Sequence, residues 1–214
     1  RTSACNYYGD GVTQTEAETF YNAMKQEGDP HPVMYGMNSR LVKADGNLQE
    51  KVWKSGGLYG AAIDRIIYWL EKATGVAENG KQAEVLRKLI EFYRTGDLKT
   101  FDEYTILWVQ ETEAMVDFTN GFTETYGDPL GLKASWEGYA NFKDLEATAR
   151  TEKLSANAQW FEDHSPVDDR FKKAECRGVS AKVIKAAILG GDLYPASAIG
   201  INLPNSNWVR AEYG

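Results

Sequence analysis

Acids, amides and two imidazoles are the side chains in this sequence able to bind or transform a ligand. His31 and His164 stand apart in loop-like contexts, and neither has a second histidine three to five residues away to complete a zinc pair. Each reads as a loop residue, solvated or hydrogen-bonded locally. No Gly-x-Ser-x-Gly elbow occurs and neither Cys5 nor Cys176 stands beside a base, so nucleophilic catalysis has no support. Gly56-Gly57-Leu58-Tyr59-Gly60 could bring backbone N–H groups to a phosphate, but it lacks the preceding apolar strand and the full dinucleotide-loop spacing. A plain helix start is the better reading. Glu111, Glu113, Asp117 and Glu124 fall along one expected helix, and Glu113 and Asp117 share a face where like charges need solvent, a cation or a ligand. A solvated acidic face explains them without further assumption. The six tryptophans could stack on sugars or bases, yet Trp69, Trp108 and Trp160 lie beside helical apolar stripes and are expected in the core.

The elements that position these groups are mostly helices. Thr13-x-x-Glu16 is a capping box, followed by Ala17, Phe20, Tyr21 and Met24 on one face, and Gly28-Asp29-Pro30 ends that helix. Residues 31–57 read as a long connection with short ordered pieces. Ile63, Ile66, Ile67 and Leu70 make a second apolar stripe that stops at Gly75. A third helix runs from about 80 to 95, with Ala83, Leu86, Ile90 and Tyr93 inward and Gly96 at its C-terminal cap. Thr100-x-x-Glu103 opens the fourth and longest helix, expected to run through Trp108 towards Phe122 and to stop before the turn residues Tyr126 to Gly131. Trp136 to Phe142 alternates like a short strand, and 144–162 is helical. Val179 to Leu189 fits either a buried strand or a short helix. Ile199, Ile201 and Leu203 alternate in the strand sense, and Val209 to Gly214 follows with no closing helix. The fold class is α+β with helix dominant, with a mainly helical part over 1–131 and a mixed part over 132–214. The boundary is soft, and the two form one compact unit in the alternative.

Composition bounds the partners. A chain of 214 residues with 43% hydrophobic and 26% charged residues can bury a real core. Twenty-four basic against thirty-one acidic residues give a net charge of −7 without a Lys/Arg cluster, which excludes nucleic acid as a partner. No apolar run approaches the ~20 residues of a membrane span. Two isolated cysteines suit a reducing, cytoplasmic setting better than a disulfide framework. The opening Arg1-Thr2-Ser3-Ala4-Cys5 contains no initiator Met and no signal core, so a piece of a larger protein is expected.

Two segments go beyond generic patterning: Val116 to Gly131 with Trp136-Glu137-Gly138, and the later Gly200-Ile201-Asn202-Leu203-Pro204-Asn205. In content, order and separation they resemble the dipeptidyl peptidase III family of zinc metallopeptidases. Lys133 to Glu137 and Ala156 to Asp163 are similar to its bacterial branch, and the likeness spans the chain. The resemblance implies an enzyme that removes dipeptides from peptide N-termini in a cleft between a helical zinc-carrying lobe and a lobe with a small β-barrel. The family's zinc motif, His-Glu, three residues and His, lies C-terminal to the Gly-Ile-Asn-x-Pro-Asn block and does not occur here. This chain is therefore expected to carry no catalytic residue and no metal, with zinc and catalysis in the absent C-terminal part of the parent. By the same resemblance Asp117 takes the position of the acid that meets the substrate's α-ammonium, and Asn202 and Asn205 match the amides that hold the peptide backbone. Thr119 stands where many animal-type members have a transition-state Tyr, a role its short hydroxyl cannot fill. Asp117 and the Asn202/Asn205 pair are expected to border one concave surface. The alternative is a non-catalytic peptide-binding or protein-interaction module, and apolar surface left bare is expected to permit a homodimer.

Overall fold

The computed structural model describes residues 6–178, 181–196 and 198–214. Helix α1 (Gln14–Asn22) starts at the capping box, with Thr13 Oγ1 accepting from the Glu16 amide and the Glu16 carboxylate accepting from the Thr13 amide. Its Ala17 and Tyr21 pack on Leu41. Leu41 belongs to an antiparallel hairpin, β1 (Ser39–Ala44) and β2 (Asn47–Val52), inside the stretch expected to be a connection. The turn residues Asp45 and Gly46 both have positive φ, as a two-residue hairpin loop requires.

Helices α2 (Gly60–Thr74), α3 (Gly80–Thr95) and α4 (Leu98–Gln110) build the main core. Ile63, Ile67 and Leu70 meet Leu86, Leu89, Ile90, Phe92 and Tyr93 as the sequence stripes anticipate. Gly96 ends α3 in the left-handed conformation, and a Cβ there would lie 2.6 Å from Val52 Cγ1, so both backbone and space demand glycine. Trp69 and Trp160 are exceptions to the core expectation, at 65% and 54% exposed. Trp69 sits off the α2 stripe against Tyr68, and Trp160 stacks on His164 at 4.3 Å.

The fourth helix is shorter than its pattern suggests. Asp97, not Thr100, caps it, accepting from the Lys99 and Thr100 amides, and it stops at Gln110. The Glu111 carboxylate then accepts from the Glu113 and Ala114 amides and turns the chain away. Val116–Glu124 is strand β3, not helix, so Glu113 and Asp117 share no helical face. Its Val-Asp-Phe-Thr alternation is a period-two signal that overrides the helical reading. Strands β3, β4 (Ser135–Lys143) and β5 (Ile184–Gly191) form an antiparallel sheet in that order. The ambiguous run is thus a strand from Ile184 on, while its Val179 and Ser180 lie outside the described residues.

Between β4 and β5 come α5 (Leu145–Ala156), α6 (Ala158–Asp163) and a 3-10 turn at Asp169–Phe171. Ile199, Ile201 and Leu203 join no strand, and the chain does close on a helix, α7 (Asn207–Tyr213), which buries Val209. Pro204, which lacks a backbone donor, stands just ahead of that helix. Among the described residues the fold is thus seven helices with two small antiparallel sheets and no closed barrel. No helix among them is long and apolar enough to cross a membrane.

A buried polar knot ties the hairpin to the rest. Lys133 is fully buried, and its Nζ donates to the Tyr21 hydroxyl, to Ser39 Oγ at 2.9 Å and to the Gly36 carbonyl at 3.1 Å. Burial pushes its ammonium down to about 8, with Glu50 and Asp128 opposing the shift.

Candidate functional site

Alternation along β3 puts Asp117 and Thr119 on one face of the sheet. Two apolar positions of α4 at i, i+7, Phe101 and Trp108, look toward that strand: a Cβ on Gly121 would lie 3.2 Å from the Phe101 ring, and Trp108 Nε1 donates to Asp117 Oδ1 at 3.0 Å. The same oxygen accepts from the Phe118 amide at 2.7 Å. Asp117 Oδ2 faces Lys182 Nζ at 3.8 Å.

A cavity of about 30 Å³, room for a water or two, lies between α4, β3 and the segment before α7. Helix α4 supplies Asp102 and Trp108, β3 supplies Thr119 and Thr123, and Pro204 and Asn205 close the far side. Asn205 Nδ2 donates to the Thr123 carbonyl at 2.9 Å, which fixes the closing segment to the sheet. Of the four residues singled out in the sequence, Thr119 and Asn205 therefore meet in one cavity. Asp117 reaches its margin through Trp108. Asn202 is exposed and is not among the cavity walls.

Other groups at the site escaped the sequence reading. Asp102 is 7% exposed, and burial in the apolar wall pushes its carboxyl up to about 7, with Asp97 adding and His31 opposing. Its signal was spacing, since it lies three residues before Thr105, which also lines the cavity. Glu137 is buried opposite Gly121, and Thr123 Oγ1 donates to it at 2.6 Å. Desolvation raises the Glu137 carboxyl, the Thr123 bond opposes this, and the charges of Glu124 and Asp192 raise it further. Thr123 and Glu137 both stand inside the first of the two distinctive segments, so they were visible as residues but not as neighbours.

Among the described residues no group of three or more His, Cys, Asp or Glu could hold a metal ion. His31 Nε2 pairs with Glu212 at 2.8 Å and its ring lies 4.3 Å from Trp208, while His164 Nδ1 contacts the Trp160 carbonyl at 2.7 Å. Among the described residues the donor set does not fit zinc.

Comparison with known proteins is consistent across three kinds of match. A model of peptidase family M49 matches residues 37–214. Dipeptidyl peptidase 3 of Dictyostelium discoideum is 28% identical over 232 aligned positions, covering 97% of this chain and 32% of that protein. The rat enzyme of the same name is 27% identical over 158, covering 74% of this chain and 21% of that one. The solved structure of DPP III from Caldithrix abyssi superposes with a TM-score of 0.82 at 21% identity, over 98% of this chain and 39% of that chain. The chain thus spans between a fifth and two fifths of the length of these relatives. Its two motifs, its helix-and-sheet arrangement and a family match over most of its length agree, and the chain belongs to peptidase family M49.

Proposed function

We propose that this chain is the substrate-holding part of a dipeptidyl peptidase that releases dipeptides from peptide N-termini, with zinc and the hydrolytic centre supplied by sequence outside it. The observation that carries this reading is the meeting of Thr119 and Asn205 in one cavity beneath the strand that bears Asp117. Asp117 would meet a free α-ammonium through a charge-assisted hydrogen bond, the stronger kind, and so fix how far a peptide threads toward the scissile bond. Asn205 and the exposed Asn202 each offer donors and an acceptor to a peptide backbone, which holds an extended chain whatever its side chains. Thr119 adds a hydroxyl of short reach. Glu137, flanked by the charges of Glu124 and Asp192, adds negative potential along the same sheet. The small β-barrel of the parent enzyme would use β3, β4 and β5 as part of its wall. A reducing compartment suits the free Cys176.

The test is an assay with a dipeptidyl-naphthylamide together with zinc analysis, on the 214-residue chain alone and after mixing with the C-terminal remainder of a parent enzyme. The chain alone should show neither turnover nor stoichiometric zinc, and mixing should bring both. Turnover by the chain alone would overturn the division of labour, and peptide binding without recovered turnover would favour a non-catalytic peptide-binding module.

A further inference from the structure

Asn141 is 4% exposed, yet its Oδ1 meets no hydrogen-bond donor. A buried acceptor without a partner is uncommon and points to a ligand, an ion or water. Its place gives the chemistry. Asn141 on β4 is paired directly with Asp117 on β3, so the two side chains leave the same face of the sheet with Cβ atoms about 4.5–5.5 Å apart. Asp117 Oδ1 is already engaged by the Trp108 indole and the Phe118 amide, which leaves Oδ2 pointing elsewhere. Among the described residues only Lys182 Nζ faces that oxygen as an ion pair, at 3.8 Å, beyond hydrogen-bond length, while it donates to the Glu111 carbonyl at 3.3 Å. The neighbouring Lys143 is turned away, its Nζ bound to the Thr112 carbonyl at 2.6 Å.

Asp117 Oδ2 and the Glu111 carbonyl both face the Lys182 ammonium, and Asn141, the strand partner of Asp117, adds an acceptor that Lys182 does not engage, while an ammonium group brings three N–H donors. We propose that Asp117 and Asn141 form a subsite for a primary ammonium group, and that Lys182 is its resident cation, which the amino terminus of a peptide displaces. The inference rests on the peptide-binding reading above and adds to it a second acceptor and an internal competitor.

The experiment titrates the 214-residue chain with tetra-alanine amide and with its N-acetyl counterpart, by calorimetry and by the side-chain amide NMR signal of Asn141. Lys182→Met should tighten the free-amino peptide by about 3–10-fold and leave the acetylated one unchanged. In the Lys182→Met background, Asn141→Leu should weaken the free-amino peptide by about fivefold or more. Asn141→Asp, which keeps the shape and adds charge, should tighten it and serves if the leucine variant does not fold. Binding of the free-amino peptide that none of these changes alters would overturn the subsite while leaving the peptide-binding reading intact. No binding of either peptide by the chain or by Lys182→Met would overturn both.

Discussion

At the scale of single residues, the Asp102 carboxyl shows how an apolar wall changes a titration. Burial costs the charged form its hydration, so the folded chain keeps a proton up to about 7, whereas the unfolded chain releases it near the ordinary 3.8. Between those values the folded state binds more protons than the unfolded one. The stability that Asp102 contributes is therefore full below about pH 4 and is lost as pH rises through about 7. Asp102→Asn should flatten that part of the profile and raise stability at pH 7.5 by about 1–3 kcal/mol. Urea denaturation of both proteins at pH 4.5 and 7.5 checks this, and an identical pH dependence in the two would show that Asp102 is not the group responsible.

At the scale of elements, α4 has the largest influence on the site because it carries Asp102 and Trp108 together. Its cap is one side chain, so Asp97→Ala should cost about 1 kcal/mol in urea melts and broaden the Trp108 indole NMR signal. A change below a few tenths of a kcal/mol would mean that packing alone sets the helix start. Helices α1, α2 and α3 were legible because each has a cap residue and an unbroken apolar stripe. The β1–β2 hairpin was not, since Lys43, Gln49, Glu50 and Lys51 blur its alternation and only Asp45-Gly46 marks the turn. The break between α4 and β3 was hidden because Glu111 to Asp117 tolerates either period, and a tertiary interaction decided: Glu78 takes the Met115 and Val116 amides. For the site, Thr119 and Asn205 were legible through the resemblance alone, and the pairing of Asp117 with Asn141 exists only once strand register is known.

At the scale of the whole molecule, three apolar side chains of the sheet stand in solvent: Val116 and its strand partner Phe142, with Ile188 paired to Ala140, are 38%, 50% and 67% exposed, and apolar surface of this kind promotes association. We expect sedimentation velocity to show a dimer growing in at tens of micromolar, about the range such a modest patch supports. Ile188→Lys combined with Phe142→Glu should restore a monomer without lowering the melting temperature, and a monomer at every concentration in the unmodified chain would refute the expectation. Lys133 sets a further constraint, on where the chain can be shortened. The family match starts at Met37, but two of the oxygens around that ammonium, from Tyr21 and Gly36, lie upstream. A polypeptide begun at Met37 would strand a cation in a dry hole, so its expression should yield inclusion bodies, and adding Lys133→Met to that shortened version should rescue part of the folded material. The stretch from Tyr21 to Gly36 acts as a plug, and homology-guided trimming would pull it out.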